Sequence, residues 1–276
     1  MKDGSFLNWL PKHSSIRRRF FFGLSRFISI CLLILALNLT LPTTINKVFG
    51  QTPQTMMFFG SPGSSWPATT IVGVQNGPIV TREIRVSDVT DANGLAAFMF
   101  KVKYDKTLVS IQDNDNNGIA DEGQVTPGGF LASTGKQTAC SNPYLDPDQT
   151  NVNNKKLAYV CVTLGPTPDA PTGTGNLATI KFKPGSNLGM FPLTLESTQL
   201  ANNSENPNLI PHIIINASFR VARCADFTGD HKVRMADVSR VVENYGTSNA
   251  LYDLDENGIV LSPDITIAVY QYGITC

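Results

Sequence analysis

Between about Thr70 and Ala222, apolar and polar residues alternate in short runs. Ile79–Val86, Leu95–Tyr104, Leu157–Val162, Leu177–Phe182, Phe191–Leu195 and Ile213–Val221 are rich in β-branched and aromatic residues and keep a two-residue period. That is the pattern of strands with one face in a core. Turn residues separate them, and no long helical pattern intervenes. About nine strands so arranged predict a mainly β fold, an antiparallel jelly roll or β-sandwich in which one face of each strand makes the shared core. After residue 222 the period changes. Val238, Val241, Val242 and Tyr245, then Ile265, Ala268, Val269 and Tyr272, recur at i, i+3, i+4, i+7 and predict two short helices. Each run ends in Tyr-Gly (Tyr245-Gly246, Tyr272-Gly273), where glycine suits a left-handed cap.

A second repeat precedes each helix. Asp226, Thr228, Asp230 and Asp237 stand at positions one, three, five and twelve of a loop, and 27 residues later Asp253, Asp255, Asn257 and Asp264 do the same. Alternate residues of a tight loop turn their oxygens inward, a backbone carbonyl at position seven (Lys232, Ile259) adds another, and a carboxylate at position twelve closes the shell from the first helical turn. Oxygen donors so spaced suit a hard cation, and Ca2+ is the ion expected. One such loop is as readily a solvated turn, but ligands, the apolar residue at position eight (Val233, Val260) and the following helix are all duplicated. Loop one carries a neutral hydroxyl at Thr228, His231 at the sixth position where Gly258 stands in loop two, and cations at Lys232 and Arg234. Loop two is therefore expected to fill first.

The duplicated loop–helix unit, with aspartate at position twelve and a single helix after each loop, resembles the dockerin module of extracellular polysaccharide-degrading assemblies over Cys224–Cys276. The resemblance implies a calcium-ordered module that binds a protein partner. It places the contacts at Met235, Ala236, Val242 and Glu243 in one repeat and Ser262, Pro263, Val269 and Tyr270 in the other. Because these sets differ, two-way binding of the kind symmetric dockerins permit is not expected. Upstream, Gly94–Asp105 with its Tyr104-Asp105 turn, Leu108-Val109 and Leu177–Phe182 look like a cohesin domain, the receptor module for dockerins, whose fold some carbohydrate-binding modules share. Within this region Asp113, Asp115, Asn117, Ile119 and Asp121 repeat the alternate-oxygen logic, although position twelve is Gln124. A calcium loop and a solvated Asn-Gly turn are both open readings there.

Charge and cysteines add a compartment. Residues 1–50 hold seven of the 22 Lys and Arg and one of the 22 acids, so the remainder carries 15 against 21, net −6. An acidic chain is a poor nucleic-acid binder. Arg17-Arg18-Arg19 and Arg26, then the apolar window Phe27–Leu41, then Val48-Phe49-Gly50 read as an export signal over 1–50; an uncleaved anchor, which would put the protein at a membrane, is the alternative. A secreted or cell-surface protein is expected. Outside the signal, Cys140, Cys161, Cys224 and Cys276 allow three pairings, of which Cys140–Cys161 with Cys224–Cys276 keeps each within one domain. The expected organisation is signal 1–50, linker 51–69, sandwich 70–222 and calcium module 223–276.

No nucleophile–base pair emerges. His212 and His231 are the histidines beyond the signal, and the acids are accounted for by loops, turns and strand edges. The Gly173-Thr174-Gly175 segment reads as a turn between strands. The sequence thus predicts a non-catalytic interaction protein. A carbohydrate-binding module with a calcium-stabilised tail is the second reading, and Trp66, within the expected linker, is the tryptophan available to stack on a sugar.

Overall fold

The computed structural model describes residues 54–165 and 170–276. The export-signal reading of 1–50 lies outside the described residues. The predicted strands form, and β4 (Leu95–Asp105) shows why: Phe98, Phe100, Val102 and Tyr104 point inward and are buried while Lys101 and Lys103 alternate outward. One sheet has the order β12 (His212–Ile215), β1 (Thr55–Gly60), β3 (Val80–Val89), β10 (Gly173–Pro184), β5 (Val109–Ser110), with β6 (Val125–Pro127) also on β10. The other runs β2 (Thr70–Val74), β13 (Ala217–Ala222), β11 (Gly189–Asn202), β4, β9 (Asn154–Leu164), β7 (Gln137–Cys140), with β8 (Tyr144–Pro147) on β9. Their inner faces share one core, in which Phe182 packs edge-on against both Tyr104 and Phe219. The strands beyond the expected set are mostly two to four residues long, too short to display a period.

Three expectations need correction. The stretch 51–69 is not merely a linker: Thr55–Gly60 is a strand, antiparallel to β3 and parallel to β12, with Met57, Phe58 and Phe59 fully buried. The physical reason is the apolar run Met56–Phe59, since burying each such side chain is worth about 1.5–3 kcal/mol. Within this sandwich two of the described pairings are parallel, β1 with β12 and β2 with β13. Both arise because Ile213–Val221 is two strands. The chain changes sheet at Asn216, whose side-chain oxygen accepts the Leu195 N–H (2.9 Å), so β12 completes one sheet and β13 the other. Finally, Gly173–Gly175 is no turn. It opens β10 against β3 with a register shift, and the Phe130 ring lies where a Gly175 side chain would be.

Past Ala222 the chain forms α1 (Met235–Glu243) and α2 (Ser262–Tyr270). Val233 and Val260, both fully buried, knit the repeats together. The Val233 carbonyl accepts Gly273 N–H (2.9 Å), and the Val260 carbonyl accepts Gly246 N–H (2.8 Å). Both glycines are left-handed (φ +84° and +78°), so the Tyr-Gly pair ends one helix and presents its amide to a loop residue. A small second core gathers Ala225, Val233, Val238, Val241, Leu254, Val260, Ile267 and Ala268 with Val72 and Ala222 of the sandwich. Cys140–Cys161 joins β7 to β9, and Cys224–Cys276 closes the C-terminal segment. In the chain-entropy account these loops are worth about 3 and about 4 kcal/mol respectively.

Candidate functional site

Position twelve of each C-terminal loop is the third residue of the following helix. Asp237 and Asp264, both fully buried, reach back to the N–H of Arg234 (2.7 Å) and Leu261 (2.8 Å), the residues that precede α1 and α2. Their other oxygens take two more amides: Phe227 and Thr228 (2.9 and 2.8 Å), or Leu254 and Asp255 (2.7 and 3.0 Å). Three of about four acceptor positions on each carboxylate are thus used by backbone.

At position one the pattern also repeats. Asp226 accepts the N–H groups of Asp230 and His231 (3.2 and 2.8 Å), as Asp253 does those of Asn257 and Gly258 (3.1 and 2.8 Å). The N–H of position seven, Lys232 or Ile259, donates to the side chain at position five, Asp230 or Asn257, at 3.0 Å in both loops. The chain therefore brings together Asp226, Asp230 and Asp237 in one group and Asp253, Asp255 and Asp264 in the other, with carboxylate oxygens within 4.8 Å of one another. Ligands held 2.3–2.6 Å from one ion lie no more than about 5 Å apart, so both oxygen-only sets fit calcium. Thr228 turns its hydroxyl toward Asp226 (3.4 Å), and Asp230 pairs with Arg234 (3.1 Å).

Electrostatics of the two sets differ. Burial pushes the Asp237 carboxyl up, but the amides of Arg234, Thr228 and Phe227 outweigh it and hold the group below the usual carboxylate range. Asp255 lies above that range, first through burial and then through the charge of Asp264, against a smaller opposing pull from Asn257 N–H and Arg220. A carboxyl raised by a neighbouring carboxylate is what a cation relieves.

The sandwich loop at 113–121 has the same build. Asn117 and Gly118 donate to Asp113 (3.1 and 3.2 Å), and Ile119 N–H to Asn117 (2.7 Å). The fourth and sixth positions, Asn116 and Gly118, are left-handed, as are Glu256 and Gly258 in loop two. Asp121, three places earlier than a closing residue should stand, accepts the position-two N–H of Asn114 (3.1 Å), as Asp237 and Asp264 accept theirs. Asp113, Asp115 and Asp121 form a third close carboxylate set, while Gln124 instead bonds Gln112 (2.9 Å).

All eight expected partner contacts, Met235, Ala236, Val242, Glu243, Ser262, Pro263, Val269 and Tyr270, are exposed. The helical stripes split: Val238, Val241 and Ala268 enter the core, Ile265 is partly buried against it, and Val242, Tyr245, Val269 and Tyr272 are half or more exposed; Ile267, outside the expected stripe, is buried instead. Tyr245, Tyr272 and Leu251, which are not among the expected contacts, are also exposed. The signal for the two tyrosines was their repetition beside glycine.

No protein-family model matches the chain, and neither does any curated protein. Among solved structures it is similar to cohesins. A non-cellulosomal cohesin from Archaeoglobus fulgidus is 15% identical, over 61% of this chain and 91% of that one, with a TM-score of 0.37. The seventh ScaB type I cohesin from Pseudobacteroides cellulosolvens is 16% identical, over 63% and 96%, with a TM-score of 0.41. The cohesin of a type I cohesin–dockerin complex from Clostridium thermocellum is 13% identical, over 61% and 99%, with a TM-score of 0.40. The β-sandwich itself stands on its own strand order and core.

Proposed function

We propose that this chain is an exported, non-catalytic interaction protein whose C-terminal segment is ordered by calcium and offers its two helices to a protein partner of cohesin type. One observation carries the reading: two aspartate clusters with matching hydrogen bonds stand at the start of two helices that leave Val242, Tyr245, Val269, Tyr270 and Tyr272 exposed. Calcium would be held by Asp226, Asp230 and Asp237 with Thr228 and the Lys232 carbonyl, and by Asp253, Asp255, Asp264 and Asn257 with the Ile259 carbonyl. When bound, it neutralises carboxylates that otherwise repel, so metal binding is folding free energy for the segment. The loop at Asp113–Asp121 is a third candidate of the same donor chemistry. Its residues Gly118 and Ala120 bond β8 and the segment before it, so there calcium would steady the sandwich. Capture of a partner from culture medium tests the interaction. The wild-type chain in calcium should retain a partner that is lost both in chelator and with Val242→Asp/Tyr270→Asp; retention in all three conditions would contradict the proposal.

A further inference from the structure

The two calcium loops are not equivalent in what they touch. Loop one faces its own helix and the chain's end: His231 carbonyl accepts Cys276 N–H, and Asp230 pairs with Arg234. Loop two is gripped from the exit of the sandwich. Arg223, the residue after β13, donates Nη1 to the Ala250 carbonyl (3.2 Å) and pairs Nη2 with Glu256 Oε1 (2.6 Å). One guanidinium therefore spans the loop from just before its first ligand to its fourth position. The backbone of Arg223 is fixed in turn, since its carbonyl accepts from Nε2 of the fully buried Gln271 (2.8 Å), whose Oε1 takes the Ala225 N–H (2.8 Å).

Glu256 itself is the second clue. Position four is left-handed in both loops; loop one has Gly229 there (φ +76°), whereas loop two has Glu256 (φ +59°). A side chain in that conformation is disfavoured relative to glycine. The carboxylate that glycine would lack is the one that pairs with Arg223, so the strained choice has an evident return.

We infer that Arg223 and Glu256 form a lock that links calcium binding at loop two to seating of the C-terminal segment on the sandwich; this rests on the calcium reading above. Glu256 sits between ligands Asp255 and Asn257, so an ion that fixes those ligands also fixes the Glu256 carboxylate against Arg223. With the loop empty, Asp253, Asp255 and Asp264 repel and release it. By linkage, whatever calcium contributes to the lock, the lock returns to calcium affinity. The consequence is an orientation device: loop two sets where the exposed faces of α1 and α2 point relative to the sandwich, while loop one is tied to its own helix and to the end of the chain.

The sign of one substitution decides it. Arg223 is a cation beside an acidic loop, so on charge alone Arg223→Ala must tighten calcium binding at loop two or leave it unchanged. The lock predicts the reverse, a weakening of roughly two- to fivefold for a half-exposed pair. The measurement is calorimetric titration of the full chain with calcium, the loop-two step being the one removed by Asp264→Ala. In a Glu256→Ala background, which removes both the charge and the acceptor oxygens, the lock is already broken, and Arg223→Ala should then produce no weakening. Weakening only in the Glu256 background supports the lock. Tightening, no change, or equal weakening in both backgrounds overturns it while leaving the calcium reading intact, and a wild-type chain that binds no calcium overturns that reading as well.

Discussion

His231 and Gly258 occupy the same sixth place in the two C-terminal loops and share a left-handed backbone, φ +64° and +93°. One place pair earlier the assignment reverses, Gly229 against Glu256, so each loop carries one non-glycine residue in that region. The sequence-based expectation that turn strain singles out loop one is therefore not sustained, and the order of filling must rest on charge. Both loops bring three carboxylates together, but Asp230 is engaged by Arg234 (3.1 Å). Replacing Arg234 with Ala should tighten loop one by roughly two- to fivefold, as expected for release of an exposed pair. Calorimetry on the full chain checks this, and an unchanged loop-one step would remove the charge argument for the ranking.

His231→Gly tests the backbone directly. If the left-handed conformation is imposed by the loop, glycine should stabilise the segment by about 0.5–1 kcal/mol. Denaturant unfolding of the full chain in calcium gives the number; a loss of stability would mean that the imidazole contributes more than its backbone costs.

The placement of β1 gives a prediction about the sandwich. Phe59 is fully buried, so Phe59→Ala should cost about 3–5 kcal/mol, and a chain begun at Thr70 should not fold to the native sandwich. Retention of the wild-type unfolding transition by that shortened chain would restore the linker reading of 51–69.

What could be read in the sequence follows from how local each signal is. The two-residue period of β4 and the duplicated oxygen residues of 226–237 and 253–264 are local signals; the period is seen in β4, and the acids of each loop come together as a close carboxylate set. Strand β1 was hidden because Met56–Phe59 is a continuous apolar run without alternation, set among Gly, Pro, Ser and Thr. Asn216 as a sheet crossing was hidden because a polar residue at that point fits the period of one long strand. Nor could spacing reveal that Asp121 accepts the Asn114 amide, since that depends on the fold of the loop. The division of each helical stripe into core and surface required the elements packed against it, which include Val72 and Ala222 of the sandwich as well as the other repeat.

His212 supplies a pH dependence. Its ring contacts the Ile210 carbonyl and Thr198 Oγ1, and burial, only partly offset by the Ile210 contact, lowers its pKa below the ordinary 6.5. The folded state thus binds the proton less readily than the unfolded chain. Its contribution to stability is present above about pH 6.5 and is lost as pH falls through the depressed folded value. Unfolding measured from pH 8 to pH 5 should show a decline that His212→Gln flattens; an NMR titration of His212 at or above the ordinary value would refute the assignment.

Calcium binding by the C-terminal clusters underlies the proposed function. Calorimetric titration of the full chain against Asp237→Ala and Asp264→Ala tests it most directly. Two binding steps assigned to these loops are expected, the tighter lost with Asp264→Ala and the weaker with Asp237→Ala. A wild-type chain without calcium-dependent heat, or both steps surviving in the double variant, would contradict it.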